Sequence, residues 1–347
     1  MDNNIKKHIE EICIKANKAS KSLSHASSKS KNQALQLIAK HIKKDKNDIL
    51  KANSIDIKSA RENNVSEALL DRLLLNESRI NDMIKGLDNI ILLNDPIGSE
   101  IKKWTPKNGI IMSQTRVPIG VIGIIYESRP NVTADASALA LKSGNAIILR
   151  GGSESFHSSS AIVKSIKNGL KESDISENCI QMVNTISRDA VGALLNMSKY
   201  INLIIPRGGK ALIERVQIDS KIAVLSHLDG LCHTYIDKDA DKEMATDIVI
   251  NAKMRRTGIC GATETLLCHK EVINSILPDI IEKLMSQGCE VRADENIQPL
   301  NKNINNATTK DWETEYLDKI ISIKSVNDLS DAINHIEQFG SNHTDAI

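Results

Sequence analysis

The chain has 347 residues, with 45 Lys+Arg against 44 Asp+Glu, a formal net charge of +1 and only 2% aromatic residues. That length accommodates two domains, the balanced charge gives no basis for a nucleic-acid partner, and the scarcity of aromatics removes stacking platforms for bases. The N-terminus leads into a charged amphipathic stretch rather than a signal core, and no apolar run approaches the roughly 18 residues of a membrane span, so a cytoplasmic chain without membrane association is expected.

In chain order, Ile5, Ile9, Ile12, Ala16, Ala19 and Leu23 recur at spacings of four and three, which is one face of a helix. Ala34 to Ile57 and Ile80 to Leu93 continue in helical style, so the first hundred residues read as a helical layer with no chemistry of its own. Residues 99–118 then read as a hairpin: Ile101 to Thr105 and Ile110 to Val117 flank Pro106-Lys107-Asn108-Gly109, and Asn-Gly is a strong hairpin signal. An exposed two-stranded ribbon is marginal alone, which makes it a candidate oligomerisation element.

Short apolar runs next alternate with helical segments. Val121 to Tyr126, Ala146 to Leu149, Cys179 to Val183, Ile201 to Ile205 and Ile222 to Leu225 read as strands, and Pro130 stands at the opening of a helix. This is the pattern of a parallel sheet with helices on both faces, in which ligands bind beyond the carboxyl ends of the strands. After about His227 the pattern restarts, with helices over Asp239 to Ala252 and Val272 to Ser286, strands over Thr263 to Cys268 and Glu290 to Arg292, and a polar surface loop over Asn301 to Asp311. Two α/β domains are therefore expected, 1–226 and 227–347.

Four loops carry chemistry. Glu127-Ser128-Arg129-Pro130-Asn131 places an amide at a helix start, where it could serve a cleft or only the helix end. Arg150-Gly151-Gly152-Ser153-Glu154 and Pro206-Arg207-Gly208-Gly209-Lys210 each follow a strand and precede a helix, so their glycines admit a ligand close to backbone N–H groups suited to phosphate. Neither is the G-x-G-x-x-G fingerprint, but two such loops together favour nucleotide binding. His227-Leu228-Asp229-Gly230-Leu231-Cys232-His233 has metal-ligand residue types, yet alternation along a strand splits them between two faces, so lining or packing is preferred and no metal is expected.

The densest segment is Arg255-Arg256-Thr257-Gly258-Ile259-Cys260-Gly261-Ala262. Nearby positive charge and backbone dipoles favour a thiolate, and a bend before a strand can expose the sulfur. The alternative is a buried structural cysteine. The six cysteines, Cys13, Cys179, Cys232, Cys260, Cys268 and Cys289, form no C-x-x-C pair, which speaks against zinc or a thioredoxin-like motif, and free thiols fit a reducing cytosol.

Taken together, Val117 to Thr133, Lys142 to Asn145, Arg150 to Glu154, Ile204 to Gly209, His227 to His233, the Cys260 segment and Gly340 to Ile347 resemble the γ-glutamyl phosphate reductase (glutamate-5-semialdehyde dehydrogenase) family of the aldehyde dehydrogenase superfamily. The resemblance runs from the N-terminal helices to the last residue. It implies an α/β, aldehyde dehydrogenase-like fold: a Rossmann-like nucleotide-binding domain over 1–226 with the 99–118 hairpin for oligomerisation, and a catalytic α/β domain over 227–347. It implies NADPH-dependent reduction of L-glutamyl 5-phosphate to glutamate 5-semialdehyde in proline biosynthesis, a homo-oligomer, and glutamate 5-kinase as a partner. It also implies roles for residues. Cys260 is the nucleophile and Asn131 an oxyanion donor. Arg150, Gly151, Gly152, Ser153, Glu154, Pro206, Arg207, Gly208 and Gly209 bind cofactor, while Arg129, His227 and Arg256 line the substrate site.

Arg150 and Arg207 lean toward the extra phosphate of NADPH and Glu154 leans toward NADH. His227 stands where oxidative aldehyde dehydrogenases carry a glutamate base, an exchange that disfavours thioester hydrolysis. Thr257 and Gly261 replace the Pro and Asn usual beside the nucleophile, and family members continue beyond the segment ending at Ile347, so the C-terminal part of the family fold is expected to be missing. The competing readings are a CoA-acylating aldehyde dehydrogenase and a truncated, non-catalytic remnant that binds nucleotide or a partner subunit.

Overall fold

The computed structural model describes residues 3–226 and 229–347. The chain divides into two compact units, Met1–Ser226 and His227–Ile347. In the first, the helical layer consists of α1 (Asn3–Leu23), α2 (Ser28–Lys44), α3 (Lys46–Glu62), α4 (Glu67–Leu73) and α5 (Glu77–Leu92). The α1 spacing buries Ile9, Ile12, Cys13, Ala16, Ala19 and Leu23, each large side chain contributing about 1.5–3 kcal/mol. The run from Ala34 to Ile57 is not one helix. It breaks at Asp45, whose N–H closes α2 onto His41 O and whose C=O receives the Ile49 N–H at the start of α3. The Asp45 carboxylate holds this corner by accepting from Ser165 Oγ at 2.8 Å.

The ribbon follows as β1 (Glu100–Trp104) antiparallel to β2 (Met112–Thr115), and every residue of both strands is exposed. Asn108-Gly109 does not form a two-residue connection; it completes a turn closed by Gly109 N–H to Pro106 O, inside a loop over 105–111.

The sheet of this unit is parallel, in the order β5-β4-β3-β6, and comprises β3 (Val121–Tyr126), β4 (Ala146–Gly151), β5 (Ile180–Met182) and β6 (Leu203–Arg207). Helices α6 (Asn131–Lys142), α7 (Phe156–Lys171), α8 (Asp189–Leu194) and α9 (Lys210–Asp219) connect and follow the strands. Ala146 to Leu149 are all less than 1% exposed, as a strand covered on both faces requires. The register aligns Tyr126 with Gly151 and with Arg207, so the loops after β3, β4 and β6 leave the sheet side by side. The expected strand over Ile222 to Leu225 is only a single bridge, Val224 to Ile204.

The second unit holds a parallel sheet in the order β10-β9-β11-β8-β7-β12. Its strands are β7 (Cys232–Ile236), β8 (Thr263–His269), β9 (Glu290–Ala293), β10 (Asn305–Asn306), β11 (Ile320–Val326) and β12 (Asp345–Ala346). Its helices are α10 (Lys242–Met254), α11 (Ile273–Ser286), α12 (Thr309–Trp312) and α13 (Leu329–Phe339). Leu266, Cys268, Leu277, Ile280, Val291 and Ile323 form its core. Asn301 to Asp311 is more ordered than the loop its polarity suggested. It contributes edge strand β10 and the start of α12, held by reciprocal bonds between Thr308 and Asp311. Among the described residues no helix is long and apolar enough to cross a membrane.

Candidate active site

In the first unit the aligned ends of β3, β4 and β6 bring Glu127, Gly152 and Gly208 to one edge. Sequence reasoning gave Glu127 no role, yet it organises this edge. Its Oε2 accepts from Gly209 N–H at 2.8 Å and so sits at the N-terminus of α9, where the helix dipole favours negative charge. Its own N–H donates to Arg207 O. A Cβ at Gly208 would lie 2.5 Å from Glu127 Oε2, so this glycine makes room for the carboxylate. The available signal was an acidic residue directly after a strand, facing a Gly-Gly before a helix.

In β6 Pro206 is buried and Arg207, its last residue, is exposed. Gly151 lies against the Tyr126 ring. Ser153 is exposed and its Oγ donates to Glu154 Oε1 at 3.1 Å. Arg150 is 9% exposed. Its guanidinium donates to Gly151 O at 3.0 Å and Ile186 O at 3.2 Å, and its buried Nε has no partner among the described residues. Burial pushes this guanidinium's pKa down, while Glu154 and Glu127 pull it back up. Asn131, the first residue of α6, is exposed and donates an amide N–H to Asp135 Oδ2 at 3.0 Å. Burial raises the Asp135 carboxyl's pKa, and the bond from Asn131 works against that. Arg129 is half-buried beside Ser128, which takes a positive φ of 46°.

These features fit a dinucleotide. Close-approach glycines, an α9 N-terminus that already draws an anion, and a buried guanidinium near the end of β4 lie at adjoining strand ends.

In the second unit Cys260 lies in the loop between α10 and β8 and is half-buried, whereas the other five cysteines are buried. Burial pushes Cys13, Cys179 and Cys268 up to about 12 and Cys232 and Cys289 to about 11. Those five are therefore thiols at neutral pH and poor nucleophiles.

The loop closes a turn with Ala262 N–H to Ile259 O. Gly230 packs against it so tightly that a Cβ there would overlap Cys260 O and approach Cys260 Cβ to 2.8 Å. Cys232 Sγ donates to Cys260 O at 3.1 Å, and His343 Nδ1 lies 3.6 Å from that sulfur. Leu231 N–H donates to Ser341 Oγ at 2.9 Å, and His233 Nδ1 pairs with Asp345 at 3.0 Å. Cys232 and His233 thus turn to different partners, and among the described residues no group of three or more His, Cys, Asp or Glu could hold a metal ion. Arg256 is exposed. His227 lies outside the described residues.

Residues 2–322 match the aldehyde dehydrogenase family, and the chain belongs to that family. Its relatives place it more narrowly. A γ-glutamyl phosphate reductase of Paramagnetospirillum magneticum is 50% identical over 333 residues, 96% of this chain and 79% of the relative. The crystal structure of γ-glutamyl phosphate reductase from Thermotoga maritima superposes with a TM-score of 0.95 at 42% identity, over 98% of this chain and 82% of that one. An engineered glycolyl-CoA reductase with bound NADP+ shares the fold at a TM-score of 0.63 and 15% identity, over 97% of this chain and 81% of that one.

Proposed function

We propose that this chain reduces L-glutamyl 5-phosphate to L-glutamate 5-semialdehyde with NADPH, releasing phosphate, in the proline biosynthetic route. The reading rests on the 50% identity to a γ-glutamyl phosphate reductase together with a single incompletely buried cysteine in the family's nucleophile segment.

The Cys260 sulfur attacks the acyl-phosphate carbonyl, a C–S bond forms, the C–O bond to phosphate breaks, and a thioester remains. The bound nicotinamide supplies hydride. The thiolate is then released with the aldehyde. Negative charge develops on the carbonyl oxygen in both halves, and the Asn131 amide and the Cys260 backbone N–H are the proposed donors; losing one such donor costs about 2.7–4 kcal/mol of barrier. The Cys232 S–H and Gly230 restrain the Cys260 carbonyl, on the peptide unit that follows the proposed N–H donor.

The loops at Arg150–Glu154 and Pro206–Gly209 are the proposed cofactor site, with Arg129, His227 and Arg256 toward substrate. Arg150 and Arg207 favour NADPH. The exposed β1–β2 ribbon is the proposed homo-oligomer contact, a glutamate 5-kinase is the proposed supplier of substrate, and the cytoplasm is the proposed location. His227, in place of a carboxylate base, is proposed to spare the thioester from water. Replacing His227 with Glu should accelerate thioester hydrolysis, and an unchanged rate would remove that role. The reading is tested by oxidising glutamate semialdehyde with NADP+ in the presence of phosphate or of CoA. Phosphate-dependent turnover supports it, whereas turnover only with CoA would replace it with an acylating dehydrogenase.

A further inference from the structure

The loop that carries Cys260 begins where α10 ends at Met254 and finishes where β8 starts at Thr263. At its two ends stand a cation and an anion, both sealed from solvent. Lys253, in the last turn of α10, and Glu264, the second residue of β8, have side chains 0% and 1% exposed, and Lys253 Nζ lies 2.6 Å from Glu264 Oε2. The other carboxylate oxygen is also engaged, accepting from Leu317 N–H at 3.2 Å. The Lys253 ammonium stands 5.9 Å from the centroid of the Tyr316 ring, and the Tyr316 hydroxyl is fixed by Asp311 and Ser322, each at 2.8 Å.

A buried ion pair of this kind is a weak source of net stability, because desolvating two charges offsets their attraction and an apolar pair of similar volume often does as well. Its distinctive property is direction. Charge-assisted bonds are short and angle-dependent, so this one holds the end of α10 and the start of β8 at one separation. The rest of the loop is held from outside by Gly230 and by the Cys232 S–H on Cys260 O.

We infer that Lys253 and Glu264 are positioning residues, a clamp across the feet of the nucleophile loop that sets the direction of the Cys260 sulfur and backbone N–H. The inference rests on Cys260 being the nucleophile. Neither residue touches substrate; both act through the loop.

The test uses the full chain and two variants. Lys253→Met/Glu264→Gln removes both charges at nearly constant volume, and Glu264→Asp keeps the charges but shortens the clamp by one methylene. Melting temperature, kcat, KM and the pH profile of Cys260 alkylation by iodoacetamide are measured. Small misplacements of reacting groups cost up to about 100-fold in rate, so kcat should fall about 10- to 100-fold with KM within about threefold of wild type. Alkylation of Cys260 should slow across the profile in a protein that still melts cooperatively. Either variant, folded and with wild-type kcat and alkylation profile, overturns the clamp, as does a loss confined to KM. If Cys260→Ala retains turnover in the same assay, the nucleophile assignment fails instead, and the two failures are distinguishable.

Discussion

The loops of the first unit and the Cys260 loop of the second are both short bends next to a parallel strand, yet they are held in opposite ways. The first set is edged by exposed groups: Arg207, Ser153 and a Glu127 carboxylate resting on the α9 N-terminus. The Cys260 loop is fixed by an ion pair sealed from solvent, by a glycine pressed onto its backbone and by a buried thiol on its carbonyl. The contrast suits the proposed roles: a loop that receives an extended cofactor can trade one anion for another, whereas a loop that delivers a nucleophile and an N–H donor to one carbon must hold a single geometry.

The largest expected effect lies at the sulfur. Cys260→Ala should lower phosphate-dependent turnover at least about 1,000-fold while leaving NADPH affinity unchanged, as losses of covalent nucleophiles do elsewhere. Parallel turnover and titration assays check this, and a smaller loss would remove the distinction between the loops. Gly230→Ala should come next. Forcing a methyl onto Cys260 O costs about 1–3 kcal/mol and should slow Cys260 alkylation, and an unchanged rate would mean that the loop gives way.

A third prediction concerns the wall beside β7. His335 is 3% exposed, and burial, with help from Lys324 and His233, lowers its pKa from 6.5 to about 3. Between those values the unfolded chain binds a proton that the folded chain refuses, so stability falls as pH drops below about 6.5, at up to about 1.4 kcal/mol per pH unit. His335→Gln should flatten that slope in urea melts between pH 7 and 5, while changes in the first unit should not. The smallest effect is expected at Glu127. Removing a carboxylate from a helix N-terminus that a phosphate can use should tighten NADPH about 2- to 10-fold in Glu127→Ala, with alkylation of Cys260 unaltered. Weaker binding in a fluorescence titration would make Glu127 a cofactor contact instead.

Local pattern carried much of this into view beforehand. The α1 face, the 99–118 ribbon and the strand-loop-helix order around Gly151-Gly152 and Gly208-Gly209 are short-range features, and period and turn chemistry reveal them. Features built from distant pairs were not visible. Glu127 reaches Gly209 across 82 residues, and Cys232 meets His343 across 111. Lys253 and Glu264 are only 11 apart, but a helix, a bend and a strand intervene, so no single period relates them. Asn301 to Asp311 misled because its polar residues serve a capping exchange and an edge strand rather than solvent. Asp45 separates two helices within one apolar pattern, and its carboxylate bond to Ser165, 120 residues away, lies outside that pattern.

The most direct measurement is a burst experiment with glutamate semialdehyde and NADP+ in the absence of phosphate. A thioester on Cys260 should yield one NADPH per chain and then stop, with a glutamyl adduct on the Cys260 peptide by mass spectrometry, and phosphate should restart turnover. No burst, or an adduct on another cysteine, would contradict Cys260 as the nucleophile.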